Sequence, residues 1–149
     1  GCDDGNTMSG DGCSATCGTE AFEGVGNDRR QTAPIVLPTG GRATVRGTIS
    51  PSNDVDYFGF EVPVGAEVIL QTYGAAGNLN SCFGDTMITL ENNFGSVVVD
   101  DDNDGSGQCS LLNRTRDFQI RTLPPGRYFV KVEGGGIGIV SYLLDIVAL

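Results

Sequence analysis

The nonapeptide Asp54-Val55-Asp56-Tyr57-Phe58-Gly59-Phe60-Glu61-Val62 predicts a core β-strand at residues 54–62. Its β-branched and aromatic residues favour extended structure. Turn-forming residues enclose it, since Ser50-Pro51-Ser52-Asn53 stands before it and Pro63-Val64-Gly65 stands after it. A strand framed so closely by turns is typical of a chain that folds back on itself in a sheet.

Short strands and turns continue on both sides of this segment. Ala43, Val45 and Ile49 alternate with polar side chains, which predicts a half-buried strand. We expect aromatic strand residues to lie in the core, namely Tyr57, Phe58, Phe60, Phe118, Tyr128, Phe129 and Tyr142. The predicted strands cover residues 42–49, 54–62, 67–73, 85–90, 96–99, 115–122, 127–133 and 140–148. About eight strands with turns every 8–12 residues predict an all-β fold, a jelly-roll-like β-sandwich over residues 42–149.

One of these strands runs into an acidic loop, Val97-Val98-Val99-Asp100-Asp101-Asp102-Asn103-Asp104-Gly105. Asp100, Asp102 and Asp104 occupy positions 1, 3 and 5 of a D-x-D-x-D-G pattern, with Gly105 at the sixth position. Alternating oxygen ligands on a tight turn are typical of calcium sites. Leu111 stands where an EF-hand has its glutamate, so the loop is not an EF-hand. A solvated acidic turn is the alternative interpretation.

A calcium ion in this loop would need ligands from elsewhere in the fold. Asp54 and Asp56 at the start of a core strand are candidates, although capping of the preceding turn would equally explain them. Asp85 is a third candidate because it lies three residues after Cys82. A bond between Cys82 and Cys109 would draw Asp85 toward the acidic loop.

The five cysteines predict disulfides in an oxidising compartment. Cys82 and Cys109 bracket two strands that should be neighbours, and their bond would close a 27-residue loop worth roughly 3.5 kcal/mol. The other cysteines, Cys2, Cys13 and Cys17, crowd the first 17 residues. These three cannot all pair internally, so one is free, bonds another chain, or has lost its partner.

The chain divides into an arm (residues 1–18), a connector with one edge strand (residues 19–41) and the sandwich (residues 42–149). The arm contains almost no apolar residues and cannot form a core, so disulfides or a bound ion must hold it. In the connector, Ile35-Val36-Leu37 lies between Pro34 and Pro38 and predicts a short edge strand. Gly134-Gly135-Gly136 predicts a flexible hairpin tip.

Composition excludes several classes of function. The net charge of −10 leaves no basic stripe for nucleic acid. No apolar run is long enough to span a membrane. The chain has no histidine, which excludes Ser–His and Cys–His catalytic pairs. These features argue against an enzyme, and the acidic excess fits a secreted protein.

Two parts of the chain resemble known families. The patterns C-D-D-G-N (2–6) and G-D-G-C-S-x-x-C (10–17) resemble a myxobacterial-type cysteine-rich repeat of bacterial surface and secreted proteins. Residues from about Glu20 to the end resemble the bacterial pre-peptidase C-terminal domain. Its matching segments are D-V-D-Y-F-G-F-E-V (54–62), G-D-T-M-I-T-L (84–90), V-V-D-D-D-N-D-G (98–105), L-P-P-G-R-Y-F-V-K-V (123–132) and S-Y-L-L-D-I (141–146).

The second resemblance implies a β-sandwich appended to exported proteins and similar to the collagen-binding modules of bacterial collagenases, several of which bind calcium. Two functions follow as hypotheses. One is a non-catalytic, calcium-stabilised binding or adhesion module, extracellular or at the cell surface, with a protein or polysaccharide ligand. The alternative is a structural subunit that self-associates through residues 1–18 into an extracellular fibre or surface layer.

Overall fold

The computed structural model of the chain describes residues 27–74, 82 and 84–149, together with the main chain of residues 19–22. These residues form ten β-strands and two single 3₁₀ turns, at Arg30–Thr32 and Phe118–Ile120. None of the helices in the described ranges is long and apolar enough to cross a membrane. The strands are β1 (Thr19–Phe22), β2 (Ile35–Leu37), β3 (Gly41–Ile49), β4 (Val55–Val62), β5 (Val68–Gly74), β6 (Thr86–Asn92), β7 (Val97–Asp101), β8 (Leu111–Asn113), β9 (Gly126–Gly134) and β10 (Val140–Ala148).

The strands form two five-stranded sheets, which confirms the predicted all-β sandwich. The first sheet, sheet A, has the order β1-β3-β10-β5-β8, and the second, sheet B, has the order β2-β4-β9-β6-β7. The middle strand of each sheet, β10 in sheet A and β9 in sheet B, is antiparallel to both of its neighbours. One cluster of buried apolar side chains, drawn from both sheets, fills the space between them.

The predicted connector contributes one edge strand to each sheet. β1 pairs in parallel with β3, and β2 pairs in parallel with β4. The edge position of β2 agrees with its flanking prolines, because proline cannot donate to a sheet ladder. The sequence pattern predicted β2 but not β1, whose four residues are too few to show a period.

The predicted strand at residues 115–122 is wrong, because this segment is a turn. Asn113 Oδ1 accepts hydrogen bonds from the N–H groups of Thr115, at 2.8 Å, and Arg116, at 3.1 Å, while Asp117 Oδ2 accepts one from Asn113 N at 2.8 Å. These side-chain acceptors satisfy the backbone locally and stop the strand after β8. Phe118, expected in the core, is 71% exposed.

The glycines at 134–136 are not a hairpin tip, which corrects the sequence prediction. β9 ends at Gly134 in sheet B, and β10 begins at Val140 in sheet A. The intervening residues therefore cross from one sheet to the other. The crossing is anchored by a hydrogen bond from Gly135 N to Asp85 O at 2.9 Å.

A buried carboxyl group joins the two sheets through the core. Asp56 in β4 is only 2% exposed. Its Oδ2 accepts a hydrogen bond from the Tyr142 hydroxyl of β10 at 2.6 Å, and its Oδ1 accepts one from Asn27 Nδ2 at 2.7 Å. Asn27 O in turn accepts from Tyr57 N at 2.8 Å. Asp56 therefore fixes both the opposite sheet and the segment that leads into β2.

We expect Tyr142→Phe to lower the free energy of unfolding by about 1–3 kcal/mol, because it removes a donor from a buried carboxyl oxygen. Urea denaturation followed by far-UV circular dichroism measures the change. Tyr73→Phe is the matched control. The Tyr73 hydroxyl donates to the part-buried Gln71 Oε1 at 3.0 Å and lies 3.4 Å from Asp145 Oδ2, so its removal should cost less than about 1 kcal/mol. Equal losses for the two variants would contradict the role assigned to Asp56.

Candidate cation-binding region

The acidic segment is only partly a loop. β7 extends through Asp101, so Asp100 and Asp101 are strand residues and their side chains point to opposite faces. Asp100 is exposed and lies opposite Thr89 of β6. The first position of the D-x-D-x-D-G pattern is therefore an exposed strand residue, whereas the third and fifth positions lie in the loop.

Asp101 closes the loop that follows β7. Its Oδ2 accepts hydrogen bonds from Leu111 N at 2.8 Å and from Asp104 N at 3.1 Å. Burial raises the pKa of Asp101, while these two hydrogen bonds oppose the rise. The carboxylate therefore stabilises the loop by satisfying two backbone donors.

The carboxylate of Asp104 forms an ion pair outside the loop. Its Oδ1 lies 3.1 Å from the Arg116 guanidinium, which also donates to Asp104 O at 2.7 Å. Both side chains are half exposed, so solvent weakens the pair. The contact nevertheless neutralises one of the three charges of the motif.

The disulfide between Cys82 and Cys109 is present and closes the base of the loop, with Cα atoms 5.3 Å apart. Gly105 N donates to Cys109 O at 2.9 Å. A Cβ at residue 105 would lie 2.6 Å from that oxygen, so the close approach requires glycine. Gly105 thus serves this contact, as well as the turn that the motif predicted.

A buried set of hydroxyl groups lies beside the disulfide. Thr72 and Thr86 hydroxyls are 2.7 Å apart, and Thr72 Oγ1 accepts from Ser110 N at 2.9 Å. Ser110 Oγ lies within hydrogen-bonding distance of Thr86 O and, at 3.0 Å, of Asp102 O. Ser110 therefore holds the main chain of Asp102 near the start of β6.

Asp85, one residue before β6, lies against this part of the loop. Its Oδ1 is buried and has no hydrogen-bond partner. Burial raises the pKa of Asp85, and the negative charge of Asp102 raises it further. Gly135 packs on the carboxylate, since a Cβ there would lie 2.6 Å from Asp85 Oδ2. Asp85 and Asp102 are thus brought together as the sequence anticipated, with one oxygen of the pair unsatisfied.

The structure keeps Asp54 and Asp56 away from the acidic loop. Asp56 lies in register with Val132 of β9, then Ile88 of β6, then Asp101 of β7. Three strand spacings separate Asp56 from Asp101 by about 14 Å, which is too far for a shared ion. Asp54 instead accepts from Ser50 N at 3.1 Å and from Val55 N at 2.9 Å. It caps the turn, which was one of the two interpretations of its position.

Asp54 also lines an open cleft of about 300 Å³, together with Asp28, Pro51, Asn53 and Val55. Each Asp54 oxygen accepts one backbone hydrogen bond and keeps capacity for another. Asp28 is exposed. Asp28 was not among the predicted site residues, because a single Asp in a connector gives no pattern. The cleft is thus a second place that two aspartates line.

No group of three or more His, Cys, Asp or Glu side chains within the described ranges is arranged to hold a metal ion. Among the described carboxylates, Asp85 lies close enough to Asp102 to feel its charge, and Asp28 and Asp54 line the same cleft. Cys2, Cys13 and Cys17 lie outside the described residues. The same holds for the whole segment that resembles the cysteine-rich repeat.

Comparison with known proteins agrees with the sequence resemblance. The family model described as the bacterial pre-peptidase C-terminal domain matches residues 54–134, more than half of the chain. None of the curated proteins compared with the chain has a similar sequence. Among solved structures, the pre-peptidase C-terminal domain of a collagenase from Bacillus anthracis is 16% identical with a TM-score of 0.53, and the match covers 76% of this chain and 92% of that domain.

A periplasmic inhibitor of g-type lysozyme from Aeromonas hydrophila is also similar in structure. It is 12% identical with a TM-score of 0.49, and the match covers 77% of this chain and 96% of the inhibitor. At these identities the likeness to the collagenase domain shows the fold alone.

We expect Asp85→Asn to raise the free energy of unfolding by about 0.5–1 kcal/mol in EDTA at pH 7, because it removes a charge that burial and Asp102 disfavour. Asp100→Asn removes the same charge from an exposed position and should change stability by less than about 0.5 kcal/mol. Urea denaturation of both variants measures the difference. A destabilised Asp85→Asn protein would contradict the expectation.

Proposed function

Because the chain belongs to the family of bacterial pre-peptidase C-terminal domains, we propose that it is a non-catalytic extracellular binding module stabilised by calcium. The observation that carries the calcium part is the buried, unpartnered Oδ1 of Asp85 beside Asp102. A buried carboxylate oxygen without a donor is destabilising. A hard cation would supply the missing partner and offset the repulsion between the two carboxylates.

Asp85 and Asp102 fit such an ion as the charged part of a ligand set. Calcium takes six to eight oxygens, so main-chain carbonyls and water would complete its coordination. Asp101 accepts backbone hydrogen bonds and Asp104 pairs with Arg116, so both stabilise the loop and neither is a proposed ligand of the ion. When bound, calcium would tie the start of β6 to the loop after β7.

The Asp28–Asp54 cleft is the second candidate position for calcium. Asn53 adds an amide oxygen there, and the cleft is open to solvent. The sequence hypothesis included Asp54 and Asp56. In the structure, the two carboxyl oxygens of Asp56 accept hydrogen bonds from Tyr142 and Asn27 in the core. Asp54 and Asp28 are therefore the carboxylates of this region that can bind an ion.

Calcium at about 100 times its dissociation constant should stabilise the protein by about 2.7 kcal/mol and raise the melting temperature by roughly 5–10 °C relative to EDTA. Differential scanning calorimetry measures the shift. Asp85→Asn/Asp102→Asn should abolish the shift if calcium binds beside the acidic loop. Asp28→Asn/Asp54→Asn should abolish it if calcium binds in the cleft.

Asp100→Asn is the control for loss of one charge and should retain the calcium shift. Equilibrium dialysis with the metal alone gives the stoichiometry. A wild-type midpoint that calcium leaves unchanged would contradict the calcium part of the proposed function.

The binding part of the function rests on family membership and on composition. The chain contains no histidine. The polar groups of the described fold that are suited to bind a ligand are Asp85 and Asp102, and the open cleft that Asp28 and Asp54 line. The disulfide between Cys82 and Cys109 fits an oxidising, extracellular setting. A protein or polysaccharide is the proposed ligand class. Binding to immobilised polysaccharides and to extracellular matrix proteins, with and without EDTA, tests this.

The alternative function, a self-associating subunit of an extracellular fibre or surface layer, rests on the odd number of cysteines. Its proposed contact lies in residues 1–18, outside the described residues. A covalent link through one of Cys2, Cys13 or Cys17 would give a ladder of bands on non-reducing electrophoresis of native material. A single monomer band, together with an absence of fibres in electron micrographs, would contradict this alternative.

A further inference from the structure

One disulfide encloses both carboxylates of the proposed calcium position beside the acidic loop. Asp85 lies three residues after Cys82, and Asp102 lies seven residues before Cys109. Between them, β6 and β7 pair as an antiparallel hairpin. The 92–96 turn closes one end of this hairpin, and the bond between the two cysteines closes the other. Asp85 and Asp102 therefore lie at the end of the hairpin that the disulfide closes.

The pairing of β6 with β7 ends before it reaches either carboxylate. Its last pair is Ile88 with Asp101, so Asp102 follows the last paired residue. Asp85 precedes β6, and its main-chain oxygen accepts a hydrogen bond from Gly135 N at 2.9 Å. The separation of the two carboxylates therefore depends on contacts outside the ladder of these two strands.

The segment at residues 108–110 contacts the leg of the hairpin that leads into β6. Thr86 N donates to Gln108 O at 3.4 Å, which is a long hydrogen bond. The disulfide joins Cys82 of this leg to Cys109, and Cys109 is fully buried. The bond therefore attaches the leg before β6 to a segment that is anchored in the core.

The same segment also contacts the leg of the hairpin that leaves β7. Asp102 O lies 3.0 Å from Ser110 Oγ, and Gly105 N donates to Cys109 O at 2.9 Å. The Ser110 hydroxyl has a single proton, and Thr86 O also lies within hydrogen-bonding distance of it. The hydroxyl can therefore donate to one leg at a time. The disulfide is a tie between the legs that does not depend on this shared proton.

Repulsion between the two carboxylates acts to open this end of the hairpin. Burial raises the pKa of Asp85, and the negative charge of Asp102 raises it further, so the two charges lie close enough to interact. The disulfide opposes the opening. A calcium ion bound by both carboxylates would oppose the same opening, so the bond and the ion each favour the state that the other requires.

We propose that the bond between Cys82 and Cys109 is a redox switch for calcium binding at Asp85 and Asp102, and this proposal rests on the proposed function. In the oxidised chain the disulfide preorganises the two carboxylates for the ion. In the reduced chain the two legs separate and calcium binds more weakly. The chain would then take up calcium only in an oxidising compartment.

Reduction of the bond requires a dithiol as co-reactant. One thiolate of the dithiol attacks a sulfur of the bond, forms a mixed disulfide and releases the other cysteine as a thiolate, which takes up a proton. The second thiol of the reductant then displaces the first cysteine. The protein gains two thiols, and the dithiol leaves as a disulfide.

The calcium affinity of chains with and without the bond tests the switch. Isothermal titration with calcium alone compares wild type with Cys82→Ala/Cys109→Ala, which leaves the three cysteines of residues 1–18 in place. We expect the dissociation constant for calcium to rise at least about 10-fold, the usual effect of losing a group that positions metal ligands. Tyr142→Phe is the matched control. It weakens the contact between the sheets and should leave the calcium affinity within about 3-fold of wild type.

Protection of the bond by calcium is the reciprocal test and uses the wild-type chain. The equilibrium constant for reduction in a dithiothreitol redox buffer should fall at least about 10-fold in saturating calcium, because the two couplings must be equal. Alkylation and peptide mass mapping follow Cys82 and Cys109 separately from the other cysteines. Asp85→Asn/Asp102→Asn should lose the protection, and Asp28→Asn/Asp54→Asn should keep it.

The results distinguish failure of the switch from failure of the proposed function. A wild-type chain that binds no calcium would contradict both. Equal calcium affinity in the oxidised and reduced chains would overturn the switch and leave the proposed function standing, as would protection that only Asp28→Asn/Asp54→Asn removes. A chain that unfolds on reduction, measured by far-UV circular dichroism, would also overturn the switch, because the bond would then maintain the whole fold.

Discussion

The hydrogen bonds of Asp56 join the two sheets through the core. One carboxyl oxygen bonds Tyr142 across the core, and the other bonds Asn27. A buried carboxyl group is destabilising unless its oxygens are satisfied, so β4, β10 and the segment before β2 must come together for it to be accommodated. The sandwich is thereby fixed in one arrangement of its sheets. Apolar packing by itself would allow several relative positions of the two sheets.

The acidic residues differ in function because their surroundings differ. Asp101 satisfies two backbone donors, and Asp104 pairs with Arg116. Asp85 retains an unsatisfied buried oxygen next to Asp102. The sequence does not distinguish these aspartates from one another. Their hydrogen-bond and ion-pair partners show that Asp101 and Asp104 stabilise the loop, whereas a cation would stabilise Asp85 and Asp102.

The order of the strands decides which turns share a surface. Every second turn lies at the same end of an antiparallel sandwich, so turns that are distant in sequence share one surface. The turns at residues 63–66 and 92–96 contain no charged residue, whereas the connection from β8 to β9 at the same end brings Arg114 to Glu67. The turns at the opposite end contribute Asp54, Asp85, Asp102 and Asp104, so the proposed calcium positions lie at that end.

Sequence patterns predicted most strands because alternation and turn residues act locally. β3, β4, β9 and β10 were found where apolar residues alternate between Gly, Pro and Asn turns. β1 and β8 have four and three residues, too few to show a period. Residues 115–122 carried a strand-like pattern, but the Asn113 and Asp117 side chains satisfied the backbone as a turn.

By itself, the sequence determined the all-β class, the family, the Cys82–Cys109 pairing and the approach of Asp85 to the acidic loop. The strands follow from local patterns of apolar residues. The segment between Cys82 and Cys109 contains two strands that pair with each other, which brings the two cysteines and Asp85 together. The tertiary structure decided that Asp56 is buried, that Asp54 faces a cleft with Asp28, and that Asp100 points away from Asp101. Those outcomes depend on strand register and sheet order. A one-residue change of register would reverse the face of every side chain, and no local pattern specifies which strands become neighbours.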